Sequence, residues 1–349
     1  MLRKKTRKVK IGNIFVGGDS PVAIQSMTFT KTSDKNATLS QIKELENAGC
    51  EIIRFSVPDE DSAQSIPYLK EHTNIPLVAD IHFNYKLAVK SIEYGIDKVR
   101  INPGNIGSDE NVKAVVDACK GKNVPIRIGV NAGSLEKHIL EKYGKPTPEA
   151  LVESASYHLN LLEKFDFYNT VVSIKSSDIR TTIEANRLFS ERFDYPLHLG
   201  LTEAGTERFG IIKSSCAIGS LLCDGIGDTV RVSLTENCVK EVYAARDLLK
   251  SLGLRSGVNI ISCPTCARCD YDVMGIASRL HELLDPVNKS VTVAVMGCAV
   301  NGPGEAREAD IGVAGGKGEA LLFKKGVPVG KIPESEVIER IIREIEAMS

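Results

Sequence analysis

Short apolar runs alternate with longer stretches of helical periodicity along the first two thirds of the chain. Strand-like runs fall at 22–28, 51–57, 76–82, 98–102, 125–131, 171–176, 196–202 and 229–234, after a first strand-like segment at 9–16 and a Gly17-Gly18 turn. Between and after them, apolar residues recur at helical spacing in 40–48, 62–71, 86–94, 111–121, 148–164, 179–193, 211–222 and 236–252. Eight strand–helix units in succession predict an α/β fold, a parallel (β/α)₈ TIM barrel. The alternative is an open doubly wound sheet, but no Gly-x-Gly-x-x-Gly follows a strand to support a dinucleotide fold. The polar, glycine-containing segment 253–257 marks a boundary. Beyond it, strands at 258–262, 291–297, 310–314, 319–325 and 327–332, with helices at 273–284 and 334–348, predict a smaller α/β domain. The expected domains are therefore 1–252, holding substrate, and 258–349.

Side chains two apart on a strand share a face. One face of the predicted barrel strands carries Val99, Ile101, Ile126, Ile128, Val172, Ile174, Val230 and Val232, and packs outward under helices. The other face is charged. Arg54 shares it with Ser56, Asp80 with His82, Arg100 with Asn102, Arg127 with Asn131, Ser173 with Lys175, and Arg231 with Ser233. Barrel interiors are usually filled by branched aliphatic residues, and barrel active sites sit at the carboxyl ends of the strands. Any one of these cations has an ordinary explanation, an internal ion pair such as Arg100 with Asp80. Arg54, Arg100, Arg127, Lys175 and Arg231 together, with few carboxylates to balance them, imply a multiply charged anionic ligand. Guanidinium forks match phosphate oxygens, and a diphosphate fits the number of cations better than one carboxylate.

Composition narrows the class. A hydrophobic content of 42% and a charged content of 26% over 349 residues leave ample chain for a core. The net charge of −1 gives no whole-molecule field for nucleic acid, so any anion site is local. The basic start (Arg3, Lys4, Lys5, Arg7, Lys8, Lys10) has no apolar run behind it, so it reads as a solvated tail leading into a strand, not a secretory leader. No apolar stretch approaches about 18 residues, so no membrane-spanning helix is expected. Nine cysteines without scaffold spacing fit a reducing, cytoplasmic compartment. Cys50, Cys119, Cys216, Cys223 and Cys238 read as small buried hydrophobes.

Four cysteines remain. Cys263 and Cys266 form a C-x-x-C turn after a strand, and Cys298 follows a second strand. Such thiolates suit zinc or an iron–sulfur cluster. A turn-rich Asn-Gly-Pro-Gly then delivers Glu305. Carboxylate is a harder, more exchangeable iron ligand than thiolate. Three firm ligands and one exchangeable one describe a cluster that acts on a substrate. Cys269 is either a spare thiol nearby or an alternative ligand.

Ser-Cys-Pro-Thr-Cys-x-Arg and Met-Gly-Cys-x-Val-Asn-Gly-Pro-Gly-Glu closely resemble the bacterial 4-hydroxy-3-methylbut-2-enyl diphosphate synthase family of the non-mevalonate isoprenoid pathway. Glu-Ile-Ile-Arg, Ala-Asp-Ile-His-Phe, Arg-Ile-Asn-Pro-Gly-Asn, Ser-x-Lys-Ser-Ser and Gly-Leu-Thr-Glu-Ala-Gly resemble its barrel motifs. The resemblance implies reductive ring opening and dehydroxylation of 2-C-methyl-D-erythritol 2,4-cyclodiphosphate. It implies a [4Fe–4S] cluster on Cys263, Cys266 and Cys298 with Glu305 on the fourth iron. It implies diphosphate binding by Arg54, Arg100, Arg127, Lys175 and Arg231, with Asn102, Asn131 and Ser233 in support. Asp80, His82 and Glu203 are the candidate acid/base or orienting groups. No flavin or nicotinamide motif is visible, so a separate ferredoxin or flavodoxin is expected as reductant. Related enzymes are homodimers in which the cluster domain of one chain closes the barrel of the other. One local departure is Ala267-Arg268-Cys269, where the family has Gly-Arg and no third nearby cysteine.

Rival readings use the same residues differently. Lys175 on a barrel strand suits a Schiff-base aldolase acting on phosphosugars. The cysteines also suit a non-enzymatic zinc module or an iron–sulfur redox sensor. None of the three explains both the charged barrel and the cysteine loops.

Overall fold

The computed structural model describes residues 3–269, 271–298 and 302–348. The chain divides into two compact units, Met1–Leu252 and Gly253–Ser349.

In the first unit, β1 (Val9–Ile11) and β2 (Ile14–Val16) form an antiparallel hairpin. Eight strands follow: β3 (Ala23–Met27), β4 (Ile52–Ser56), β5 (Leu77–Asp80), β6 (Lys98–Ile101), β7 (Ile126–Asn131), β8 (Thr170–Lys175), β9 (His198–Leu199) and β10 (Thr229–Val230). They pair in parallel in the order β8-β7-β6-β5-β4-β3-β10-β9. The ends of that order meet, because the Val172 N–H donates to the Pro196 carbonyl at 2.9 Å and the Thr202 N–H to Ser176 at 3.1 Å. The expected barrel is thus formed. Its amino-terminal end is plugged. Val9, Ile11 and Val16 of the hairpin join Ala23, Ile52, Val78 and Val171 in one buried cluster. Ile52, Val78 and Val171 precede charged positions on the same strand face and Ala23 precedes Gln25 and Met27, so an apolar floor lies beneath a polar interior.

Helix boundaries follow capping chemistry. The side chains of Asp34, Asp59, Asn84, Thr147, Asp178 and Asn237 each accept a backbone N–H from the helix they precede. Where one helix was expected over 62–71, two form, Glu60–Gln64 and Ile66–His72, since Pro67 belongs in a first turn. An unexpected helix spans Lys137–Tyr143. The last two barrel strands are shorter than expected, since Gly200 and the mouth residues after Val230 leave the ladder. Cys216 and Cys223 are exposed, correcting the expectation of burial, whereas Cys50, Cys119 and Cys238 are buried.

The basic start is not a solvated tail. Arg3 pairs with Asp228 at 2.9 Å, the Lys4 ammonium donates to the Phe193 carbonyl, and Arg7 pairs with Asp194. Asp228 is 1% exposed and also accepts from the Leu197 N–H and the Thr6 hydroxyl. A buried acceptor at the start of β10 therefore recruits the tail.

In the second unit, β11 (Val258–Ser262), β12 (Val291–Met296) and β13 (Ile311–Gly315) are parallel, and β14 (Glu319–Lys324) and β15 (Val327–Pro333) complete the sheet antiparallel. Alternation sorts the faces of β12. Val291, Val293 and Val295 pack under helices Val273–Leu284 and Val337–Glu346, while Ala294 and Met296 pack with Ala306. Ala306 lies on a helix, Gly302–Glu308, where a turn was expected. Pro303 lacks an N–H that a first turn does not need, and Glu305 suits a helix amino terminus. Asn301 of that motif lies outside the described residues.

Asp228→Ala should destabilise the protein by about 3 kcal/mol, the scale for removing one partner of a buried ion pair. Denaturant unfolding of the full chain measures it.

Candidate functional site

Strand register brings the charged positions together. Ser56 pairs with Asp80, Asp80 with Arg100, and Arg100 with Arg127, making one row across β4 to β7. Gly129 pairs with Ser173 and Asn131 with Lys175. These residues open onto a cavity of about 310 Å³ at the carboxyl ends of the strands. Arg54, Asp80, His82, Arg100, Arg127, Asn131, Lys175, Arg231 and Ser233 all line it, as their strand parity requires. Asn102 does not. Its side-chain oxygen accepts the Gly129 N–H at 3.1 Å and braces β7 instead. Glu203 does not line the cavity either; it is exposed, one residue past Thr202, which does. Its φ of 54° is a left-handed conformation uncommon for a side chain of this type.

Two glycines make the approach possible. A Cβ on Gly129 would lie 2.4 Å from the Arg100 Nε, and one on Gly200 would lie 2.4 Å from the Lys175 Nζ. Arg100 uses this room to donate to the Gly129 carbonyl at 3.2 Å and to Asp80 at 3.1 Å.

The charge is partly balanced. Asp80 also lies 3.6 Å from Arg54. A second carboxylate came from an unexpected place: Glu241, on helix Cys238–Ser251, is 3% exposed and holds Arg231 at 3.1 Å and 3.2 Å. No strand pattern marks it; its only sequence signal is an acidic residue on the buried side of a helix following Arg231. Met27 was likewise missed, and its sulfur lies 2.9 Å from the Arg54 Nη2. Lys98, two residues before Arg100 on the same face, is completely buried. Among the described residues, the interior thus holds six basic side chains against two carboxylates.

Burial and the neighbouring charges lower Lys175, Lys98 and Arg54, and the neighbouring cations lower Asp80. Burial, then the neighbouring Arg127, Arg231 and Arg54, pull the Lys175 amine well below the usual lysine range. Burial and Arg127 do the same to Lys98. Burial pulls Arg54 down to about 10, although Asp80 opposes this. Burial would raise the Asp80 carboxyl, but Arg54, Arg100 and Arg127 outweigh it and hold it low. Among the described residues, Arg127 Nε and Nη1 and Lys98 Nζ find no hydrogen-bond partner. Arginine keeps its proton in proteins, so an entering anion relieves this repulsion.

The second unit carries the candidate ligand cysteines. Cys263 directly follows β11, and its N–H donates to the Val295 carbonyl at 3.0 Å. Cys298 lies two residues beyond β12, so the two thiols leave adjacent parallel strands at the same edge. Cys266 is exposed, and hydrogen bonds from the backbone and then the side chain of Arg268 lower its thiol from the usual range. Glu305 is exposed on the helix Gly302–Glu308. Among the described residues, no three His, Cys, Asp or Glu side chains converge at single-ion distance.

Because the folded Lys175 binds its proton less tightly than the unfolded one, stability should rise with pH between its lowered value and about 10.4. Inorganic pyrophosphate should raise the thermal midpoint and flatten that slope, as measured by thermal unfolding across pH. Gly200→Ala should weaken pyrophosphate binding about tenfold or more, or about 1.4 kcal/mol, by calorimetry.

Residues 6–246 match the GcpE TIM-barrel domain and residues 259–347 the GcpE protein C-terminal domain. A Clostridium perfringens (strain 13 / Type A) protein named 4-hydroxy-3-methylbut-2-en-1-yl diphosphate synthase (flavodoxin) is 57% identical over 349 residues, covering 100% of both chains. A Shouchella clausii (strain KSM-K16) protein of the same name is 56% identical, covering 99% of this chain and 95% of its own. The solved dihydropteroate synthase from Stenotrophomonas maltophilia aligns at TM-score 0.52 and 14% identity, covering 71% of this chain and 97% of that one. This last likeness bears on the barrel fold alone. No described helix is long and apolar enough to cross a membrane. Matched in both of its units and along its whole length, the chain belongs to the GcpE family.

Proposed function

We infer that the protein is an oxidoreductase that converts 2-C-methyl-D-erythritol 2,4-cyclodiphosphate to (E)-4-hydroxy-3-methylbut-2-enyl diphosphate. The observation that carries this reading is a barrel chamber lined by five basic side chains and one carboxylate, in a chain 57% identical to a synthase of that name. Two electrons and a proton are taken up, the cyclic diphosphate opens at a C–O bond, and one oxygen leaves as water. Flavodoxin, which stands in the relatives' names, is the proposed reductant. The relatives lend no support to the aldolase, zinc or sensor alternatives.

In this reading Arg54, Arg100, Arg127, Lys175 and Arg231 hold the diphosphate, with Asn131 and Ser233 donating at the mouth. Asp80 fixes the forks of Arg54 and Arg100, and Glu241 fixes that of Arg231. Both carboxylates act as orienting groups. Proton delivery falls to His82, which lines the mouth, or to Glu203, whose left-handed backbone is a constraint of the kind found at functional sites.

The donor set fits an iron–sulfur cluster. Cys263, Cys266 and Cys298 supply thiols from adjacent strand ends, and Arg268 supplies hydrogen bonds to sulfur. We propose that they hold a [4Fe–4S] cluster, with Glu305 as the exchangeable fourth ligand. When bound, such a cluster supplies electrons singly together with a Lewis-acidic iron. A cytoplasmic homodimer, with the cluster unit of one chain closing the barrel of another, belongs to the same proposal. It rests on the short junction between the units and on the need to exclude water from a reduced site.

Anaerobically purified protein is expected to contain about four irons per chain. The electron paramagnetic resonance spectrum of the dithionite-reduced form should change on adding the cyclic diphosphate. Arg127→Gln should lower kcat/KM about 100-fold, or about 2.7 kcal/mol, without loss of iron. One zinc per chain and no iron would sink the reading.

A further inference from the structure

Ala267-Arg268-Cys269 places a fourth thiol beside the three assigned ones. Cys263, Cys266 and Cys269 stand in an unbroken C-x-x-C-x-x-C run. In bacterial ferredoxins the first three cysteines of such a run serve one cubane, and a remote cysteine completes it. Here Cys298 is the remote cysteine.

The backbone supports the spacing. The Cys269 N–H donates to the Cys266 carbonyl at 2.9 Å, closing a turn between these two cysteines. Cα atoms across such a turn lie within about 7 Å. The Cys269 sulfur does not point away from the site. A Cβ on Gly297 would fall 2.8 Å from it, so this sulfur lies against the residue that immediately precedes Cys298. Cys263 and Cys269 each pack against the same apolar cluster, which contains Tyr271. Cys269 is half-buried, and its thiol donates to the Tyr271 carbonyl at 3.2 Å, a single weak contact to give up. Glu305, in contrast, is exposed on its helix.

We propose that Cys269 is a fourth thiolate ligand available to the cluster, able to take the iron site otherwise held by Glu305. The exchange transfers no electrons: the Cys269 thiol loses its proton to solvent as the carboxylate leaves. The protein then has two resting forms. One, on Glu305, is open to substrate. The other, on Cys269, is closed by four sulfurs and keeps its fourth iron when substrate is absent. This inference rests on the cluster reading above and adds a ligand to it.

The test uses full-length protein reconstituted anaerobically with iron and sulfide, as wild type, Glu305→Ala, Cys269→Ser and the double variant. The readouts are iron per chain and the electron paramagnetic resonance of oxidised samples. Glu305→Ala should keep about four irons, as the wild type does, and the double variant should fall to about three, with a three-iron signal. Cys269→Ala in the Glu305→Ala background should behave as the serine variant, separating loss of a ligand from a local packing defect. If Glu305→Ala alone falls to three irons, and the double variants add nothing, Cys269 is only a packing thiol and the inference is wrong. If no form takes up iron and sulfide, the cluster reading fails, and this inference fails with it.

Discussion

Everything in the first unit answers to one constraint, the burial of more positive than negative charge inside a barrel. Desolvating an ion costs several kcal/mol unless partners replace the water. The chain recovers part of this with Asp80 between Arg54 and Arg100, Glu241 under Arg231 and the Gly129 carbonyl on Arg100. It leaves Arg127 and Lys98 with donors unmet among the described residues. A frame that tolerates this needs stability from elsewhere. The outward aliphatic face of the strands, the hairpin plug and the Asp228 anchor supply it without touching the chamber.

The same constraint explains where the barrel departs from the usual filling of branched aliphatics. Gly129 and Gly200 occupy inward positions where a side chain would collide with Arg100 or Lys175. Each glycine weakens its strand, since it has no side chain to pack. In return a cation reaches the space above it. The short ladders of β9 and β10 belong to the same exchange, because regular pairing ends where Gly200 and Arg231 turn to the mouth.

How much of this was legible in sequence depended on whether one strand's period carried the information. Parity alone put Arg54, Asp80, Arg100, Arg127, Lys175 and Arg231 on one face, and they line one cavity. Lys98 has that parity too, but nothing in the pattern gives its depth. Asn102 shows the limit from the other side. Its parity is right, yet it lies past the end of β6, where its side-chain amide oxygen accepts the Gly129 N–H instead of meeting a ligand. Glu241 was out of reach because it arrives from a helix and acts on a strand residue ten positions earlier. The helix at Gly302–Glu308 was read as a turn because Gly-Pro-Gly signals a turn locally, whereas packing of Ala306 against Ala294 and Met296 decides the outcome.

The charge imbalance also bears on the chemistry proposed. Opening a cyclic diphosphate frees a terminal phosphate oxygen, so the product carries more negative charge than the substrate. A chamber with spare cations binds that developing charge more strongly than the closed ring, and only such differential binding speeds a reaction. Lys175 is placed to respond: its amine is held low by burial and then by Arg127, Arg231 and Arg54, and added negative charge opposes that effect. An interior with every cation already paired would have less to offer that developing charge. Leaving Arg127 and Lys175 short of counter-charge therefore puts the electrostatic cost in the resting protein and the benefit at the step where the ring opens.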